Sequence, residues 1–129
     1  MTRRIALLGE PYAAETRAGI VVWFNLADLS TRRIEVFPAR LIVGVVRFLG
    51  RFAKAHPFAA WSFDVDVQAV VKPPGSYAVT SIEPAEKLDA LTIGRLSMLR
   101  PFDLALWSGA LDAPTTKPRR LRATAGGAS

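Results

Sequence analysis

Trp61-Ser62-Phe63-Asp64-Val65-Asp66-Val67-Gln68-Ala69-Val70-Val71 is the stretch from which the fold is read. Trp61, Phe63, Val65, Val67, Ala69 and Val71 alternate with Ser62, Asp64, Asp66, Gln68 and Val70. A period of two predicts a strand with one dry face and one wet face. Lys72-Pro73-Pro74-Gly75-Ser76 follows as a turn, because proline cannot donate to a ladder and glycine permits positive φ. Residues 77–82 return as the second strand of a hairpin. Pro84 then opens a helix, with Glu83 and Glu86 placed where the helix dipole favours negative charge. Leu88, Leu91, Leu96 and Leu99 supply its apolar face, and Pro101 stops it. Phe102, Leu104 and Leu106 alternate as a short last strand.

Toward the N-terminus, Gly19-Ile20-Val21-Val22-Trp23-Phe24-Asn25-Leu26 is rich in β-branched and aromatic residues and reads as a buried strand. Asp28-Leu29-Ser30-Thr31 has turn chemistry, and Arg33-Ile34-Glu35-Val36-Phe37 alternates, so the pair forms a hairpin. Pro38 suits the first turn of a helix reaching Lys54. At about 100° per residue, Arg40, Arg47, Arg51 and Lys54 share one stripe of that helix, and apolar residues cover the rest. Gly44 and Gly50 oppose a helix, and residues 41–46 would also make a buried strand. The alignment of four cations on a 3.6 period favours helix. His56-Pro57 ends it.

The expected architecture is α+β: an antiparallel sheet of about five strands, two hairpins plus a short strand, with two helices packed on one face. The 129 residues suffice for one domain with its own core, and a 50% hydrophobic composition argues against disorder over most of the chain. A single globular domain is expected over residues 1–112 and a basic, disordered tail over 113–129.

Several chemistries are excluded. The chain has no cysteine, hence no disulfide, thiolate metal site or cysteine nucleophile. Its only histidine is His56, so multi-histidine metal sites are impossible. Met1-Thr2-Arg3-Arg4 followed by Ile5-Ala6-Leu7-Leu8 begins like a leader, but Gly9-Glu10-Pro11 interrupts it too early. No apolar run approaches the ~18 residues of a membrane span. A cytoplasmic location is expected.

The formal charge of +6 sits at the ends: Arg3 and Arg4, and then Lys117, Arg119, Arg120 and Arg122. Between residues 5 and 116, eleven basic residues balance eleven acidic ones. Two surfaces therefore become candidates for an acidic partner: the stripe Arg40, Arg47, Arg51, Lys54, and the tract Lys117, Arg119, Arg120, Arg122. For each, a solvated face is the more ordinary reading. Asp64 and Asp66, at i and i+2 on one strand, have the spacing of a magnesium or acid–base pair, but no third ligand is evident and a wet strand face explains them. His56 has the position of a residue that serves a helix C-terminus. No glycine-rich phosphate loop and no cofactor site is found.

The first functional expectation is a non-catalytic binding or assembly module engaging nucleic acid or an acidic protein through its basic ends or basic helix. The alternative is a self-assembling structural subunit, a homo-oligomer, because residues 20–24 make a strand apolar on both faces. The remote alternative is a divalent-metal enzyme using the Asp pair.

Overall fold

The computed structural model describes residues 1–17, 19–70 and 76–107. Five strands form in the order β1 (Thr2–Thr16), β2 (Gly19–Asp28), β3 (Glu35–Leu41), β4 (Trp61–Ala69) and β5 (Tyr77–Lys87). Helix α1 (Val43–Ala55) joins β3 to β4, and helix α2 (Ala90–Leu96) follows β5. Around the closed barrel the order is β1-β2-β3-β5-β4, with β1 pairing on to β4. Every pairing is antiparallel except that of β3 with β5.

The alternation is realised over Trp61–Ala69 as β4, Val71 lying outside the described residues: Phe63, Val65 and Val67 are buried in the barrel, and Asp64 and Asp66 lie half-buried outside. The interior is filled from every strand by residues such as Ile5, Leu7, Phe24, Leu26, Leu41 and Val79. Val45 and Leu49 of α1 join this cluster. A second, smaller cluster lies outside the wall, where Ala6 and Ala27 pack under Leu96 of α2.

The sheet differs from expectation by closing into a barrel and by its parallel pair. The missing element was β1. Ile5 and Leu7 face inward, whereas Ala6 and Leu8 face the outer cluster, so the segment shows no alternation and resembles an interrupted leader. β1 is also bent. Leu8 stands opposite Asn25 and Tyr12 opposite Trp23, so residues 9–11 face Phe24 alone. Gly9 takes φ +79° in this bulge, a conformation that favours glycine.

Three further corrections follow from backbone chemistry. Pro38 lies within β3, opposite Asn25 and just before the ladder to β5 begins at Ala39, so it does not open a helix. A proline is tolerated where a strand lacks its second neighbour. Residues 41–46 are split, with Leu41 ending β3 and α1 starting at Val43. Pro84 likewise belongs to β5, where the pairs Phe63–Pro84 and Trp61–Lys87 leave a bulge. There the Ser62 hydroxyl donates to the Glu86 carbonyl at 2.9 Å and accepts from the Glu86 N–H at 3.2 Å. The helix starts only at Ala90, where the Asp89 carboxylate caps the Thr92 N–H at 2.7 Å.

Residues 104–107 form a helical turn, not a strand, with the Trp107 N–H donating to the Asp103 carbonyl at 2.9 Å. The two helices do not share one face, since α1 packs against the barrel's inner cluster and α2 on its outer wall. The turn at 72–75, the domain boundary at 112 and the tail 113–129 lie outside the described residues.

Candidate functional site

On α1 the apolar and cationic positions separate by angle. Val45 and Leu49 are buried, whereas Arg47, Arg51 and Lys54, at spacings of four and three, are exposed along one face. Arg40 is not part of this stripe. It is exposed on β3, between Trp23 of β2 and Ala78 of β5. No ion pair involves any of these four cations among the described residues. Lys117, Arg119, Arg120 and Arg122 lie outside the described residues.

The ion pairs that do form neutralise the other end of the sequence. Arg3 meets Asp28 at 3.0 Å. Arg4 forks on to Asp64, with Nε to Oδ1 at 2.6 Å and Nη2 to Oδ2 at 3.3 Å, and its Nη1 reaches Glu86 at 3.1 Å. The hydrogen bond from Arg4 holds the Asp64 carboxyl below its ordinary range and raises the guanidinium in turn. Asp66 accepts from the Met1 ammonium at 2.7 Å. Both carboxylates of the candidate metal pair are thus engaged by cations, and no group of three or more His, Asp or Glu suited to a metal occurs among the described residues. His56 caps α1, its N–H donating to the Phe52 carbonyl at 2.8 Å. Its ring lies 5.0 Å from Phe52 and 5.3 Å from Trp61.

Two features escaped the sequence reading. Arg32 and Arg33, from the loop after β2, meet Arg95 of α2 around a shallow depression floored by Ile34 and Leu99. Only the fold brings residues so far apart in the chain together. The other is an apolar slot of about 300 Å³ at the barrel mouth. Val46, Leu49, Gly50 and Ala53 of α1 form one wall, and Pro11 and Ala13 of β1 form another. Val22, Phe24, Leu41 and Phe58 complete it. Five separate segments contribute, so no local pattern announces it.

At Trp23 and Asn25 the outer face of β2 is covered by the chain itself. Asn25 and the backbone of Phe102 exchange two hydrogen bonds of 3.1 Å, and the Trp23 and Trp107 rings meet edge-on with centroids 4.9 Å apart. The apolar outer side of β2 is thereby covered at Trp23, whereas Ile20 at the start of the strand stays 72% exposed. Exposed apolar side chains remain on α2 and the segment that follows it, with Leu91 75%, Met98 84% and Leu106 73% exposed. No helix among the described residues is long and apolar enough to cross a membrane. Compared with protein-family models, curated proteins and solved structures, the chain matches none.

Proposed function

We propose that this protein is a non-catalytic binding module that engages an acidic macromolecule, nucleic acid or protein, through the cationic face of α1. The observation that supports the reading is the uncompensated state of Arg47, Arg51 and Lys54. Arg3 and Arg4 are matched by acids, whereas α1 carries no acidic residue at all. Three cations spread over about 10 Å of helix fit a run of phosphates or carboxylates. Five-stranded Greek-key barrels that bind oligonucleotides use the face of strands 2 and 3. Here Phe102 and Trp107 lie on the outer side of β2, so the reading rests on the exposed cations of α1 instead of that face.

The test is binding of wild type and an Arg47→Gln/Arg51→Gln/Lys54→Gln variant to duplex DNA, single-stranded RNA and a polyglutamate peptide. Wild type is expected to bind at least one of them, and the variant at least tenfold more weakly. Binding to none at low salt would end the proposal. Deleting 117–129, which takes the formal charge from +6 to +2 by removing four cations and no acid, separates the C-terminal tract from α1.

A second reading, self-assembly into a larger complex, is favoured by the exposed Leu91, Met98 and Leu106. Sedimentation over a concentration series tests it: a monomer throughout contradicts it.

A further inference from the structure

We infer that the slot at the barrel mouth is a binding site for the alkyl chain of an anionic amphiphile, with the carboxylate resting at the cationic edge of α1. The proposal goes beyond macromolecule binding: it shares the α1 cations with that reading, and its apolar half stands apart from it.

The slot's shape and lining carry the first half of the inference. Phe24, Leu41 and Leu49 are buried and form its floor, while the rim is made of small groups, among them Gly50, Ala53 and Ala13. No side chain in the lining can hydrogen-bond. A slot of this kind offers nothing to a sugar, a nucleotide base or a metal ion, and it rewards only apolar surface. An apolar cavity of about 150 Å³ holds a benzene ring. On that scale the roughly 300 Å³ here corresponds to an alkyl chain of about a dozen carbons.

Charge placement carries the second half. Taking Val46 as zero on the α1 wheel, the lining positions 46, 49, 50 and 53 span the arc from about −60° to +40°. Lys54, Arg47 and Arg51 follow at about 80°, 100° and 140°, directly beyond Gly50. The opposite rim is β1, where Glu10 and Glu15 flank the lining residues Pro11 and Ala13 and are exposed. The mouth is therefore cationic on the helix side and anionic on the strand side. A carboxylate head is attracted to the first and repelled by the second. Gly50 stands between slot and cations, and a Cβ built on it meets nothing within 4 Å, so the passage there is open.

The experiment is calorimetric titration of the full chain with straight-chain alkanoates from hexanoate to tetradecanoate, each below its micelle concentration. Affinity should rise about fourfold per methylene and level off near twelve carbons. Dodecanol should bind more weakly than dodecanoate. Arg47→Gln/Arg51→Gln should weaken dodecanoate about two- to fivefold and leave dodecanol unchanged. Gly50→Leu fills the passage without a backbone clash and at a residue that helices favour, so it should fold and lose at least tenfold in affinity. Ala53→Leu is the second blocking variant, with circular dichroism confirming the fold of both. The inference is overturned if no alkanoate binds, if dodecylammonium binds as tightly as dodecanoate, or if both folded blocking variants bind like wild type.

Discussion

At the scale of single residues, the Arg4 fork shows how a charge that looks available is already spent. The sequence places Arg3 and Arg4 among the basic ends, yet both meet carboxylates, Asp28 through the β1–β2 pairing and Asp64 through the closure of β1 on to β4. Because Arg4 and Asp64 are each more than a third exposed, the pair is screened and worth about 0.5–1 kcal/mol at most. Arg4→Gln should reduce stability by that amount at neutral pH. The sign of its pH dependence follows from Asp64, whose folded-state pKa is lowered. Its contribution is present above the ordinary carboxylate value near 3.9 and fades as pH falls through the lower folded value. Denaturation of wild type and variant should therefore differ at pH 7 and converge in strong acid. A difference that grows below pH 4 would contradict this assignment. Gly9 offers a second test at this scale. Its φ of +79° makes Gly9→Ala costly by about 1–2 kcal/mol although no atom crowds the position, so a neutral effect on the melting temperature would mean that the β1 bulge relaxes.

Among the elements, legibility depended on whether a segment is dry on one face or two. β4 has a single dry face and its alternation could be read directly; the β2–β3 hairpin was likewise legible from β-branched residues and turn chemistry. β1 was illegible because it is apolar toward both the interior and α2, and because a bulge breaks its period. The prolines misled for one reason. Pro38 and Pro84 look like helix openers, but each occupies a place in a strand where the ladder is incomplete, a condition that only the tertiary pairing reveals. The cationic stripe was legible for Arg47, Arg51 and Lys54 and misjudged for Arg40 by the same error at Pro38. The Arg32–Arg33–Arg95 cluster and the apolar slot are products of closure and have no local signature.

The segment after α2 makes its own prediction. Trp107 shields Trp23, which is only 2% exposed. Trp107→Ala should cost roughly 2–3 kcal/mol, less than a fully buried tryptophan, and should make Trp23 fluorescence quenchable by iodide. An unquenched Trp23 in the variant would show that other residues cover β2.

At the scale of the whole molecule, carboxylates of β2 and β4 meet the two arginines of β1, whereas the cations of α1 and those of the Arg32–Arg33–Arg95 depression form no ion pair among the described residues. The most direct test is the salt dependence of binding to duplex DNA, because each phosphate contact lowers the slope of log K against log salt by about 0.9. If the three α1 cations are the contact, wild type should show a slope near −2.7 from them, with any further steepness contributed by the C-terminal tract. Deleting 117–129 should remove only that further part, while Arg47→Gln/Arg51→Gln/Lys54→Gln should flatten the slope by up to about 2.7. A slope unchanged in the triple variant would contradict the account and move the binding surface away from α1.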